Sequence, residues 1–120
     1  MSKTILLVDD FEFNTYAVSI ALKSKGYSII TASNGKEALE IMNRRKIELL
    51  ITDYSMPIMN GIELVTEIRK NELTNRIPII FLSSEKSHYI EKLLIKIQYY
   101  YGNTGHPCNE RAELLVDQAS

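Results

Sequence analysis

The sequence holds a single cysteine, Cys108, and no tryptophan. One thiol cannot make an intramolecular disulfide, so a reducing compartment is the natural setting. Neither sign of charge dominates. Lys plus Arg number 14 against 15 Asp plus Glu, a net charge of -1. That balance argues against bulk attraction to nucleic acid or a membrane surface. Long apolar runs are missing near the N-terminus as well. Ile5-Leu6-Leu7-Val8 is only four residues, too short for a signal-peptide core or a membrane span. A cytoplasmic protein is expected, with no membrane insertion and no direct nucleic-acid contact. No repeat, low-complexity stretch, linker or G-x-G-x-x-G stands out. The 120 residues, 45% hydrophobic and 24% charged, suit one domain over 1–120 with a core that needs no staples.

What is present is an alternation of short apolar runs and helical periods. Ile5 to Val8 is rich in strand formers and stops at Asp9-Asp10. A continuous run of this kind marks a strand buried on both faces. From about Asn14 to Lys25, Ala17, Ile20, Ala21 and Ser24 recur at helical spacing, and Gly26 follows as a stop. Tyr27 to Ala32 reads as a second strand, and Asn34-Gly35 as a turn. Ala38, Leu39, Ile41 and Met42 mark a helix ending in Arg44-Arg45-Lys46, a favourable charge at a helix C-terminus. Ile47 to Thr52 is a third strand, ending on Asp53. Tyr54 to Asn60 is a loop around Pro57, closed by Asn60-Gly61. Ile62, Val65, Ile68 and Arg69 carry a helix to about Asn71. Pro78 opens a fourth strand, Ile79 to Leu82, which runs into Ser83-Ser84. Tyr89 to Ile97 looks helical.

Strands and helices at this spacing imply right-handed βαβ units. The expected fold is α/β: a doubly wound parallel five-stranded sheet in the flavodoxin-like order 2-1-3-4-5. The fifth strand and last helix are its least defined parts.

In such sheets ligands bind beyond the carboxyl ends of the strands. There the first strand offers Asp9 and Asp10, the third Asp53 and the fourth Ser83. An aspartate after a strand is usually a turn residue or a helix cap. The combination, each member at the right strand end, is what points to chemistry. Three carboxylates in one crevice repel unless a cation compensates them. Mg²⁺ suits a few carboxylates plus waters and a phosphate oxygen. It would screen the acids from an anionic phosphoryl donor and stabilise the transferring group. An aspartate can serve as the nucleophile, giving an aspartyl-phosphate. The Ser83 hydroxyl would donate to a phosphoryl oxygen.

Three stretches carry a family resemblance: Val8-Asp9-Asp10, Asp53-Tyr54-Ser55-Met56-Pro57-Ile58-Met59-Asn60-Gly61, and Pro78-Ile79-Ile80-Phe81-Leu82-Ser83-Ser84. In order and spacing the chain resembles bacterial two-component response-regulator receiver domains, of the single-domain, chemotaxis-regulator-like kind, over roughly residues 3 to 84. The resemblance implies that Asp53 is the phosphoacceptor. Asp10 would be the main metal ligand, with Asp9 binding directly or through water, and the backbone carbonyl of Ser55 would be a further ligand. Ser83 would be the switch hydroxyl. Pro57 and Gly61 would shape the loop after the acceptor.

The last third departs from the family pattern. Receivers normally end a fifth strand in Lys-Pro, and no Lys-Pro follows Ser84. Lys96 precedes Ile97 and falls within a predicted helix. His106-Pro107 stands close to the usual place, which makes His106 the candidate occupant. A surface loop histidine is its commoner role, and a neutral imidazole brings no fixed charge. Tyr99-Tyr100-Tyr101 offers candidates for the family's aromatic switch, of which Tyr101 is preferred. Asn109 to Gln118 reads as a short last helix, capped by Asn109, with Leu114 and Leu115 on its apolar face. Natural divergence and an altered reading frame both account for the loss of pattern. His88 has no second ligand nearby and reads as solvated, and Cys108 has no activating base.

The expected function is a signalling phosphoacceptor, not an enzyme. A histidine kinase or phosphotransfer protein would supply the phosphoryl group, and, with no output domain in view, a downstream protein would read it. The competing class is a degenerate pseudo-receiver, an interaction module with the fold but without phosphorylation. An aspartyl phosphatase of the haloacid-dehalogenase type ranks last. It needs a second aspartate two positions after the first, where Ser55 stands.

Overall fold

The computed structural model describes residues 3–82 and the backbone of 113–115. The elements run β1 (Thr4–Val8), α1 (Glu12–Lys23), β2 (Ser28–Ala32), α2 (Gly35–Arg44), β3 (Leu49–Asp53), α3 (Gly61–Lys70), β4 (Ile79–Leu82) and β5 (Glu113–Leu115). All strand pairs are parallel and the sheet order is β2-β1-β3-β4-β5. The doubly wound order expected from the alternation is the observed one. Among the described residues no helix is long and apolar enough to cross a membrane.

The uninterrupted apolar strands are explained by a core on each face of the sheet. Successive side chains along a strand point to opposite faces. Leu6, Val8, Leu50, Ile79 and Phe81 therefore join Ala38 and Ile41 of α2 and Leu64 and Ile68 of α3 in one cluster. Ile5, Leu7, Leu49, Ile51, Ile80 and Leu82 join Val18 and Leu22 of α1 in the other. Leu50 and Ile51 are wholly buried on opposite faces. Truncating either to Ala would cost about 2–5 kcal/mol.

The helix ends carry the local information. α1 begins at Glu12, two residues before the apolar period suggests, with Phe11 extended at its N-cap and Asp9 turning the chain as it leaves β1. Its Oδ1 accepts from the Phe11 N–H at 3.1 Å. At the other end Gly26, at φ 94°, closes α1. The Gly26 N–H donates to the Lys23 carbonyl and the Tyr27 N–H to that of Leu22, the paired bonds of a Schellman ending. Asn34 caps α2 rather than merely turning the chain, accepting from the Glu37 N–H at 2.9 Å. Asn60 and Glu63 form a full capping box on α3.

Besides the ends of α1, other boundaries and one element differ from expectation, and β2 opens at Ser28 rather than Tyr27. β3 starts at Leu49 rather than Ile47, where the Glu48 N–H reaches the Thr4 carbonyl at 2.9 Å ahead of the ladder. α2 ends at Arg44, with Arg45 already extended. Glu113–Leu115 is a strand beside β4, pairing Ile80 with Leu114, and not the middle of a helix over Asn109 to Gln118. β4 is buried along its whole length, and its outer edge needs backbone partners that only an extended segment supplies. The predicted helix over Tyr89 to Ile97, and Tyr99-Tyr100-Tyr101, lie outside the described residues.

Candidate functional site

The ladder register sets the site. Val8 pairs with both Ala32 and Thr52, and Asp53 pairs with Leu82. Asp9, one step beyond Val8, and Asp53, one step beyond Thr52, therefore leave neighbouring strands at the same level. Asp9, Asp10 and Asp53 each present a carboxylate oxygen within 4.8 Å of the other two. Three acids remote in sequence thus converge at the carboxyl edge of the sheet.

Their surroundings differ. Asp9 is buried at 4% exposure. It is tied down by the Phe11 N–H and by Asn14 Nδ2, which donates to its Oδ2 at 3.3 Å. Asp10 is exposed. Asp53 is half-buried, and its Oδ1 accepts from the Tyr54 N–H at 2.7 Å. Burial pushes the Asp53 carboxyl above the usual aspartate range. Repulsion from Asp9 adds to this, the Tyr54 and Ser55 N–H groups oppose it, and Asp10 adds a smaller push upward. Asp9 is thus fixed by its own hydrogen bonds, while Asp53 is a carboxylate that a proton, a cation or an electrophile would relieve.

The loop after Asp53 is held from several directions. The Tyr54 ring stacks on Phe81 of β4, with centroids 4.5 Å apart and planes at 4°. Burial raises the Tyr54 phenol above its ordinary range. The Gly61 N–H donates to the Tyr54 carbonyl at 2.9 Å. The Met59 carbonyl accepts the Gly35 N–H at 3.0 Å, tying the loop to the start of α2. Pro57 lies inside this loop, as expected.

Of the residues singled out from sequence, Asp9, Asp10 and Asp53 are brought together, and Ser55 stands beside them in the loop, exposed. Ser83 and His106 lie outside the described residues, as do His88, Lys96 and Cys108. Asn14 and the Tyr54–Phe81 stack escaped the sequence reading. Asn14 carries a signal in hindsight, since an amide one turn into a helix can reach back to a preceding acid. The stack has none, because it depends on the β3–β4 register.

A doubly wound parallel sheet binds ligands beyond the carboxyl ends of its strands at the switch point, and the three acids stand at that place in this α/β fold. Residues 5–100 match the family model of the response regulator receiver domain, and the chain belongs to that family. It is 36% identical over 84 residues to the two-component response regulator ORR3 of Oryza sativa, covering 69% of this chain and 64% of that protein. It is 34% identical over 85 residues to the probable transcriptional regulator ycf29 of Pyropia yezoensis, covering 71% of this chain and 38% of that protein. The chain therefore spans about two-fifths to two-thirds of the length of these curated relatives. Among solved structures, the chemotaxis response regulator CheY4 of Vibrio cholerae superposes with a TM-score of 0.68 at 33% identity, covering 73% of each chain. The receiver domain of the sensor histidine kinase PA1611 from Pseudomonas aeruginosa, solved with a magnesium ion in its active-site cleft, gives 0.79 at 24% identity over 86% of this chain and all of that one.

Proposed function

We propose that this chain is a phosphoacceptor of a two-component system, taking a phosphoryl group on Asp53 from a histidine kinase or phosphotransfer protein. The observation that carries the reading is the convergence of three carboxylates within 4.8 Å, with burial and the Asp9 charge holding Asp53 above the usual aspartate range. An Asp53 oxygen attacks the phosphorus of a donor phosphohistidine as the phosphorus–nitrogen bond breaks. The electron pair stays on the imidazole nitrogen, which takes up a proton, and an aspartyl-phosphate results.

The all-oxygen donor set fits a hard divalent cation, and the repulsion felt by Asp53 supplies a reason for one. Asp10, Asp53 and the Ser55 carbonyl would hold Mg²⁺, with Asp9 direct or through water. When bound, the ion would neutralise charge on the phosphoryl oxygens. Asp9 fixes the crevice wall through Phe11 and Asn14, and the Tyr54 N–H orients the nucleophile. A receiver domain of the same fold, from Pseudomonas, holds magnesium in its cleft, which is in keeping with a divalent cation here. Phe11 just ahead of α1, and Phe13, Tyr16 and Ile20 on it, expose apolar surface close to the acids, and so offer a donor protein a footing beside Asp53. The chain acts as a carrier of the phosphoryl group, not as an enzyme, works in the cytoplasm, and passes its state to a downstream protein.

The absence of Lys-Pro after Ser84 favours a second reading, a degenerate receiver that docks without being phosphorylated. Acetyl phosphate with Mg²⁺, followed by intact mass spectrometry, separates the two. One added phosphoryl group is expected, lost in Asp53→Asn and with chelator. An unchanged mass for the unaltered chain would reverse the ranking.

A further inference from the structure

The opposite edge of the sheet carries a feature that phosphoryl transfer does not use. The α2–β3 and α3–β4 connections both lie at the amino-terminal ends of the strands, away from the three aspartates. Between them opens a cavity of about 400 Å³, against about 230 Å³ for the crevice beside Asp9. Met42, Ile47 and Ile77 give it apolar walls. Arg44, Arg45 and Lys46 form its rim, all three exposed. None of the three has an ion-pair partner among the described residues.

The neighbouring loop is cross-braced by hydrogen bonds, and it displays a leucine. Thr74 Oγ1 donates to the Ile68 carbonyl at 2.9 Å, and the Thr74 and Ile77 N–H groups reach Asn71 and Thr74 at 3.0 and 3.1 Å. The Leu73 N–H donates to Asn71 Oδ1 at 2.9 Å, and Arg69 Nη1 to the Asn75 carbonyl at 3.0 Å. These bonds hold Leu73 at 91% exposure on the lip of the cavity.

We propose that this cavity docks an acidic, apolar peptide segment of a partner protein, its carboxylates on Arg44, Arg45 and Lys46 and an apolar side chain inside, with Leu73 covered. Charge complementarity and the shape of the surface select this occupant. A small anion would satisfy the rim but leave Leu73 in water and the apolar walls bare. A membrane would take Leu73 but not fill a concave cavity. Three cations also fall short of the roughly four to eight that mark lipid-binding clusters, and Glu72 and Arg76 of the loop offset each other. An acidic peptide meets all three features, and arginine forks suit its carboxylates.

The test uses the whole chain and a fluorescein-labelled peptide of repeating Glu-Leu-Phe-Asp, read by fluorescence anisotropy at low ionic strength. Binding that weakens with salt is expected. The Arg44→Glu/Arg45→Glu double variant, and separately Leu73→Asp, should each weaken it at least about tenfold, while Asp53→Asn leaves it unchanged. Leu73→Asp alters a position already in water, so its fold is safe. Amide shifts in the unaltered chain should centre on Met42, Leu73 and Ile77. No binding, equal binding by both variants, or shifts elsewhere would overturn the proposal. Vesicles of phosphatidylserine and phosphatidylcholine that bind in the same variant-sensitive way would replace it with a membrane site. Inorganic phosphate that displaces the peptide and is indifferent to Leu73→Asp would replace it with a free-anion site.

Discussion

The backbone of Asp53 occupies the space where a side chain on Gly61 would stand. A Cβ built on Gly61 would collide with the Asp53 carbonyl oxygen and crowd its carbonyl carbon at 3.2 Å. The absence of a side chain at the start of α3 is therefore what lets the loop after Asp53 close against β3. Both partners are backbone, so neither can swing aside. Gly61→Ala should cost about 1–3 kcal/mol, the range for overpacked sites, as a lowered urea midpoint. Because the clash falls on Asp53 itself, labelling by acetyl phosphate should slow as well. A midpoint unchanged from the unaltered chain would mean the loop has room that the geometry denies.

The direction of the Asp53 shift predicts a pH dependence. Its folded pKa is raised above the ordinary 3.8, so the folded state holds that proton more tightly than the unfolded chain does. The associated stability is complete below the ordinary value and is lost as pH rises through the folded pKa. At neutral pH, without divalent cations, the Asp53 carboxylate is a net burden. Asp53→Asn should then unfold at higher urea than the unaltered chain, and the gap should close as the medium is acidified past the ordinary aspartate range. Mg²⁺ should reverse the order, since saturation at a hundredfold over Kd stabilises a folded state by about 2.7 kcal/mol. A gap that fails to narrow on acidification would count against the repulsion, and an order that Mg²⁺ leaves unchanged would count against the metal.

The strands and the acids were legible because they rest on local pattern. Ile5 to Val8, Ile79 to Leu82 and the core of β3 are apolar at every position, which only a sheet buried on both faces allows, and each is followed by the polar residue that ends it. Order and register then bring Asp9 beside Asp53 without further information. Other features depend on contacts between segments. Asn34 and Asn60 read as turn residues, and their capping roles appear only with Glu37 and Glu63 in place. The Tyr54–Phe81 stack requires Thr52 to pair with Phe81. Leu114 and Leu115 suit a helix or a strand equally, because two adjacent leucines define no period. The open edge of β4 decides between them.

Ile58 makes the last prediction, and its sign runs against the usual rule. It is the non-glycine residue with a positive φ, 70°, among the described residues, and a β-branched side chain is poorly suited to that region. The Met59 N–H donates to the Pro57 carbonyl at 2.7 Å, so Ile58 is the centre of a γ-turn of the strained, positive-φ kind. That turn delivers the Met59 carbonyl to the Gly35 N–H at the start of α2. The side chain itself is 75% exposed, so removing it forfeits little burial. Relief of backbone strain of about 1–3 kcal/mol should outweigh the added unfolded-state entropy of glycine, about 0.5–1 kcal/mol. Ile58→Gly should therefore stabilise the fold by about 1 kcal/mol in urea denaturation. Ile58→Ala keeps the Cβ and with it the strain, so it should gain little. At an ordinary negative-φ position the alanine variant would be the more stable of the two. Finding that order here would show that the turn at Ile58 is not held as the backbone indicates.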